Sequence, residues 1–442
     1  MEPSATICAI ATAPAAGGIG VLRISGPLAT AASLPLAPRV PSTPEARRAY
    51  FTELTDRRGA VLDEGLFLFF AAPNSYTGED VVELQTHGGP RLLSLLLHEV
   101  LADGRVRLAE AGEFSRQAFL NGRMDLTRAE AVAALVSAES EAAVRAAASQ
   151  LSGSLADRVL EVRSPLVDLR ADLEGALAFP DEAEGAEAGA RERLSSLSGA
   201  LAALLADARR GALVRRTARA VLYGPVNAGK STLFNRLAGE ERALVDPEPG
   251  TTRDLVEARL ELCGYGLALV DTAGLRPAPG RVEALGIEKA RRALASADLA
   301  VLLAPPEATQ AEVEGWRREA GEVPVLVVCS KADLARAAPA DPRGLAVSGA
   351  TGSGVEELRG ELARRLCGGA GAASFAASEW MVDALQRAAG SLDRAERAAE
   401  LSTLEVVAGE LGLAAEALGQ ITGETAPEEL LDAIFRRFCV GK

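Results

Sequence analysis

Residues Thr217 to Leu233 read TARAVLYGPVNAGKSTL, and this stretch decides the fold. The apolar, β-prone run Ala220 to Tyr223 leads into Gly224-Pro-Val-Asn227-Ala228-Gly229-Lys230-Ser231, and the helix-forming Thr232-Leu-Phe-Asn-Arg-Leu follows. A strand, G-x-x-x-x-G-K-[ST] and a helix in that order form a phosphate-binding loop. Gly224 and Gly229 let backbone N–H groups turn inward around an anion, and the helix N-terminus adds partial positive charge. Lys230 is placed to reach the β- and γ-phosphates, and the Ser231 hydroxyl to ligate Mg2+. A chance glycine loop is the alternative, and the correctly ordered flanks count against it.

The rest of the nucleotide machinery is expected downstream. Apolar runs at Leu267 to Val270, Leu299 to Leu303, Val325 to Val328 and Leu345 to Val347 alternate with helical segments, which predicts a parallel sheet covered on both faces. Motifs sit just after those runs, where open α/β sheets bind ligands. Asp271-Thr272-Ala273-Gly274 fits a D-x-x-G switch, with Asp271 holding Mg2+ through water and the Gly274 N–H on the γ-phosphate. Gly250-Thr251-Thr252-Arg253-Asp254 lies between the two motifs, and Thr252 is the second hydroxyl candidate for Mg2+.

Ser330-Lys331-Ala332-Asp333 ends the Val325 run where guanine recognition, N-K-x-D, belongs. The Asp333 carboxylate accepts from guanine N1 and N2, a donor pair that adenine lacks, so GTP is favoured over ATP. Ser330 replaces the usual Asn, which predicts looser guanine affinity rather than lost selectivity. Ser348-Gly349-Ala350 fits the last base-contacting loop. Many GTPases carry a water-orienting Gln after the switch glycine, but Leu275 stands here and can neither donate nor accept. Glu283, at a potential helix start, is the candidate to position the water; a solvated helix-start acid is the other reading.

Composition sets limits on the function. Only four of the 47 basic residues are lysines, Lys230, Lys289, Lys331 and Lys442, so lysine is kept largely where a compact point charge is useful. A net charge of −14 excludes a broad nucleic-acid-coating surface and leaves focal RNA contacts. Five cysteines without a C-x-x-C pair resemble neither a disulfide framework nor a zinc site, and a reducing cytoplasm is expected. Glu2 replaces a basic n-region, and no apolar run approaches a membrane span, so a soluble protein is expected.

The chain reads as multidomain, α/β plus all-α. Residues 1–120 form an α/β domain, with strands at Thr6 to Ile10, Ile19 to Ile24 and a buried one at Gly65 to Phe70, and a helix from Arg91 to Leu101. Periodic helical stretches then run through Thr127 to Gln150, Ser154 to Phe179 and Arg191 to Val214, punctuated by Gly153, Pro165 and the acidic segment from Asp181 to Gly189. Helical texture returns from Ser374 to Phe438. The expected topology is a helical domain in two parts, 121–214 and 368–442, carrying an inserted P-loop GTPase domain of Ras-like type at 215–367.

Further stretches carry a resemblance: Ala11-Thr, Gly17 to Gly26, Pro73 to Asp80, Glu83 to Gly89, Gly112 to Ser115, Phe119 to Asp125, Phe179 to Glu182 and the end Phe438-Cys439-Val-Gly-Lys442. With the GTPase motifs they resemble the tRNA modification GTPase family MnmE, also called TrmE, over essentially the full length. The resemblance implies a GTPase activated by dimerisation through its N-terminal domain and by K+. Asn227 would coordinate K+ with help from Asp246, Glu248 and Thr251, and Pro247, Pro249 and Gly250 belong to the same nucleotide-binding loop. Asp246 stands where relatives often carry Thr, and Glu283 falls at the family's catalytic glutamate. A K+ ion near the phosphates would supply the charge of an arginine finger.

By the same resemblance, Arg23, Glu83 and Arg123, with Lys442, would bind 5-formyltetrahydrofolate, and Cys439 would be the tail thiol near it. The implied reaction, shared with an FAD-dependent partner subunit, adds a carboxymethylaminomethyl or aminomethyl group to carbon 5 of the tRNA wobble uridine. Where relatives often open the last helical part with a basic stretch, this chain has Phe375-Ala-Ala-Ser-Glu-Trp-Met, and Arg209, Arg210, Arg215 and Arg216 are the candidate substitute RNA contacts, with solvated helix charges as the other reading. Two other readings stand beside this one. A GTP-dependent switch for ribosome or RNP assembly would lack the one-carbon chemistry, and a nucleotide-independent scaffold is opposed by Lys230, Ser231, Thr252, Asp271 and Asp333.

Overall fold

The computed structural model describes residues 5–178, 186–240, 256–262, 265–272, 291–334, 344–367, 373–401 and 404–441. The chain forms two compact units, one from Met1–Ala133, Leu151–Ser198 and Arg387–Lys442, the other from Ala134–Gln150 and Gly199–Gln386.

The first unit is built on six strands: β1 (Thr6–Ile10), β2 (Gly17–Ser25), β3 (Ala49–Thr55), β4 (Val61–Phe70), β5 (Val81–Gly88) and β6 (Val106–Leu108). Their order is β3-β4-β5-β2-β1-β6, antiparallel except for the β1–β6 pair. Alternation along β2 and β5 buries Leu22, Ile24, Val82 and Leu84 under the helix Pro90–Leu101. Period two therefore sends Arg23 and Glu83 to the opposite face. The strand expected as buried at Gly65 to Phe70 is only half-buried apart from Phe67.

The helices Ser154–Ala178 and Leu404–Thr422 pack along one another in this unit. Pro165 does not punctuate the first of them as its sequence suggests. It is exposed, so the Glu161 carbonyl that loses its helical donor faces water and the cost stays tolerable. Arg163 ties the pair together, donating to the Ala415 carbonyl at 3.1 Å and pairing with Glu424 at 2.8 Å.

The second unit holds β7 (Ala218–Tyr223), β8 (Val256–Leu262), β9 (Tyr265–Asp271), β10 (Leu299–Ala304), β11 (Val325–Cys329) and β12 (Leu345–Ala346) in the order β12-β11-β10-β7-β9-β8. Pairing is parallel except between β8 and β9. The four runs expected as parallel strands, β9 to β12, do pair in parallel, and β8 adds an antiparallel edge strand on β9 that the sequence reading did not place. Residues 263 and 264 alone join the two strands, and a connection that short permits only antiparallel pairing. Helices cover both faces. Lys230–Glu240 and Val355–Cys367 bury Leu233, Phe234, Leu358 and Leu362 on one side, and Ala293, Leu294 and Val313 pack on the other.

The stretch expected as one helix from Thr127 to Gln150 is two, Leu126–Val136 and Glu141–Leu151. Ser140 starts the second by accepting from the Ala143 N–H at 3.2 Å, which satisfies an otherwise orphaned donor.

Candidate functional site

Parallel order β10-β7-β9 brings the carboxyl ends of these strands to one edge, where Tyr223 hands over to the glycine loop and β9 ends at Asp271. Gly224 has φ +136°, and a Cβ there would lie 2.5 Å from the Leu303 carbonyl oxygen. Only glycine meets both conditions. Asn227 turns the loop with φ +63° and is exposed, Ala228 is buried, and Gly229 (φ +91°) opens the first turn of Lys230–Glu240. Ser231 and Thr232 are exposed at the start of that helix.

Lys230 is 8% exposed, and its Nζ donates to the carbonyls of Gly224 and Pro225 at 2.8 and 2.7 Å. Burial pushes its pKa below the ordinary lysine value of 10.5, against the opposing pull of the Asp271 carboxylate. The Ser231 Oγ donates to Asp271 Oδ2 at 2.8 Å, and Thr272 Oγ1 donates to the Leu222 carbonyl at 2.8 Å, which fastens the end of β9 to β7. The G-K-[ST] and D-x-x-G motifs, 40 positions apart, thus meet in one hydrogen bond.

A cavity of about 200 Å3 adjoins the loop, and Gly229, Thr232, Ser330, Lys331, Asp333 and Ser348 to Ala350 line it. Lys331 has φ +53°, Ala332 donates to the Val347 carbonyl at 3.2 Å, and the turn closes with Leu334 N–H on the Lys331 carbonyl at 2.9 Å. These bonds hold Asp333 exposed, with no hydrogen-bond partner among the described residues. Ser348 is buried, and its Oγ accepts from the Thr351 N–H at 3.1 Å. Arg236 donates to the carbonyls of Gly349 and Ala350 at 3.3 and 2.9 Å and so ties this loop to the phosphate-loop helix. The sequence reading missed Arg236; its place one turn beyond Thr232 on the same helix is the local signal.

A second polar cluster lies in the first unit. Arg23 and Glu83 are directly opposite on β2 and β5, with Arg23 Nε on Glu83 Oε1 at 2.9 Å. The Arg23 guanidinium sits 5.3 Å from the Tyr76 ring centroid and 5.7 Å from that of Phe114, and its Nη1 donates to the Gly441 carbonyl at 3.5 Å. Neither aromatic was picked out from sequence, although Tyr76 falls in the quoted Pro73 to Asp80 stretch and Phe114 in Gly112 to Ser115. Arg123 donates through Nε to the Ser75 carbonyl at 3.2 Å, in the same loop as Tyr76.

The C-terminal tail reaches this cluster by backbone contacts. Val440 bridges Ala111, and Gly112 N–H donates to the Cys439 carbonyl at 3.4 Å. Gly441 has φ +100°, with the Ile10 carbonyl oxygen 2.5 Å from where a Cβ would stand. Cys439 is exposed.

Asp246, Pro247, Glu248, Pro249, Gly250, Thr251, Thr252, Ala273, Gly274, Glu283 and Lys442 lie outside the described residues. Of the substitute RNA contacts, Arg210 pairs with Asp207 and Arg216 with Asp298, and Arg209 is exposed. Phe375, Ala376, Ala377 and Met381 are buried, with the Phe375 carbonyl against Gly211, so most of that stretch is core and Glu379 is its exposed residue.

The phosphate loop, the Asp271 switch strand and the Ser330–Asp333 base loop on this sheet define a P-loop GTPase domain. Residues 126–439 match the family described as the MnmE helical domain, and residues 6–123 match that described as the GTP-binding protein TrmE N-terminus. The chain is 60% identical over 440 residues to the tRNA modification GTPase MnmE of Myxococcus xanthus (strain DK1622), covering 99% of each. It is 44% identical over 452 residues to that of Azoarcus sp. (strain BH72), covering 100% of this chain and 99% of the relative. Among solved structures, the G domain of the T. maritima FeoB iron transporter aligns at 26% identity and TM-score 0.27, over 34% of this chain and 99% of that one. The chain belongs to the tRNA modification GTPase MnmE family.

Proposed function

We propose that this chain hydrolyses GTP in tRNA modification as a K+-activated GTPase that works as a dimer. With an FAD-dependent partner subunit, it adds a carboxymethylaminomethyl or aminomethyl group to carbon 5 of the wobble uridine. Family membership supports the broad part, a GTPase acting on tRNA. Among the described residues no helix is long and apolar enough to cross a membrane, and the cytoplasm is the compartment we assign.

The observation that carries the finer reading is Arg23, held between the Glu83 carboxylate and the carbonyl of the C-terminal Gly441. A GTP switch for ribosome or RNP assembly has no use for such a cluster. Opposed charges beside two aromatic rings suit a folate, whose tail is anionic and whose pterin offers donors to a carboxylate. Arg23, Glu83, Arg123 and Lys442 would hold 5-formyltetrahydrofolate, with Cys439 beside it, and the bound folate would supply the one-carbon unit.

In the nucleotide site, Lys230 would stabilise charge on the phosphates, and Ser231 and Thr252 would ligate Mg2+ with Asp271 behind them. Asn227, exposed and turned by its positive φ, would hold K+ with Asp246, Glu248 and Thr251. Glu283 would orient the attacking water, and Asp333 would read the guanine.

The test is GTP hydrolysis in KCl and in NaCl at equal ionic strength, with Asn227→Ala and Glu283→Ala alongside, and calorimetric binding of 5-formyltetrahydrofolate. Stimulation by K+ that Asn227→Ala abolishes, turnover lost but GTP retained in Glu283→Ala, and folate binding are expected. Equal rates in both salts with no folate binding would favour the assembly switch.

A further inference from the structure

Ser330 stands where guanine-recognition loops usually carry an asparagine, and its surroundings show what the exchange does. The inference rests on reading the cavity beside the phosphate loop as a guanine site. Ser330 is 6% exposed. Its Oγ donates to the Ala304 carbonyl at 3.3 Å, and its own N–H reaches the same oxygen at 2.9 Å. A hydroxyl carries one hydrogen, so with that hydrogen on Ala304 the side chain presents only lone pairs.

Guanine answers with lone pairs of its own on this edge. N7 and O6 are both acceptors, whereas N1 and N2 carry the hydrogens. A lone pair on Ser330 facing N7 makes no hydrogen bond. Reach works in the same direction, because an asparagine amide nitrogen stands one covalent bond, about 1.3 Å, further out than a serine oxygen and carries two hydrogens. The opposite edge keeps its reader, since Asp333 is exposed with no partner among the described residues.

We propose that this chain selects guanine from the N1 and N2 edge and is indifferent to atom 7 of the purine. Guanine nucleotides altered at that atom, in particular those with C–H in place of N7, then fall within its nucleotide specificity. Ser330 is the residue that sets this tolerance.

The experiment is equilibrium competition of GTP, 7-deaza-GTP and ATP for the full-length protein with Mg2+. The Kd values for 7-deaza-GTP and GTP are expected to agree within about twofold, and Ser330→Ala to keep them so. Ser330→Asn is expected to open a gap of about fivefold or more by restoring a donor to N7, the size of one neutral hydrogen bond. A wild-type preference for GTP over 7-deaza-GTP of about fivefold overturns the proposal, whether Ser330→Ala removes the preference, which makes the hydroxyl the donor, or leaves it, which places the donor elsewhere. If Ser330→Asn does not fold, the wild-type and Ser330→Ala ratios decide alone. ATP binding as tightly as GTP would instead sink the guanine reading itself, and this inference with it.

Discussion

The hydroxyl of Ser231 lies 2.8 Å from the carboxylate of Asp271, joining the first turn of the phosphate-loop helix to the last residue of β9. These are the oxygens that two separate motifs assign to Mg2+, and Asp271 is only 3% exposed, so its charge acts in a poorly screened setting. Asp271→Asn is expected to lower kcat by about 100-fold, in line with loss of a preorganised electrostatic partner. Ser231→Ala should raise the Mg2+ concentration giving half-maximal hydrolysis. A Mg2+ titration of both variants checks this, and an Asp271→Asn rate close to wild type would remove the carboxylate from the metal's shell.

Gly224 tolerates no side chain, because its φ of +136° and the Leu303 carbonyl oxygen, 2.5 Å from where a Cβ would stand, exclude one on independent grounds. Gly224→Ala is expected to destabilise the second unit by about 1–3 kcal/mol and to abolish GTP binding. Thermal unfolding with and without GTP reads both effects. Full nucleotide stabilisation in the variant would show that the loop can form another way.

The backbone of the C-terminal tail docks closely on the first unit, with Gly441 at φ +100° against the Ile10 carbonyl. Gly441→Ala should push the tail off and weaken the proposed 5-formyltetrahydrofolate binding by about tenfold, the loss of one charge-assisted contact. Calorimetry measures it, and GTP affinity on the same sample reports whether the protein is folded. Unchanged folate affinity would take the tail out of the site.

Glu113 gives the first unit a pH dependence. Burial alone would raise its carboxyl, but hydrogen bonds from Arg107 (Nη1 to Oε2 at 2.8 Å) and from the Glu110 N–H, with the charges of Arg107 and Arg116 nearby, carry it below the ordinary 4.5. A carboxyl with a lowered folded-state pKa adds stability that is complete above 4.5 and disappears as pH falls through its folded value. Arg107 is half exposed, so the contribution is about 1 kcal/mol or less. Glu113→Gln should therefore lower stability at pH 7 by that amount and converge on wild type in acid, once pH lies below the folded value. Denaturant melts from pH 7 into acid test it, and an equal deficit throughout would point to packing instead of charge.

The nucleotide site was legible because its residues are bound to their neighbours in the chain. A strand, a glycine turn and a helix start lie within Ala220 to Leu237, and local backbone sterics and hydrogen bonding shape such a stretch largely by themselves. The D-x-x-G and S-K-x-D motifs follow strands whose apolar runs are visible without a structure. Even β8 was readable in principle, since Ala258, Leu260 and Leu262 alternate with Glu257, Arg259 and Glu261.

By itself, then, the sequence determined a GTPase nucleotide domain and named the residues proposed to furnish it. Tertiary structure decided how separate stretches meet. The Arg23 guanidinium finds the Gly441 carbonyl from 418 positions away, Tyr76 and Phe114 flank it, Arg236 grips the base loop, and the Ser330 hydroxyl turns to Ala304. No local pattern encodes these meetings. They follow from burying apolar faces such as Leu22 and Ile24, which fixes the register of whole strands and carries their polar neighbours to the other side.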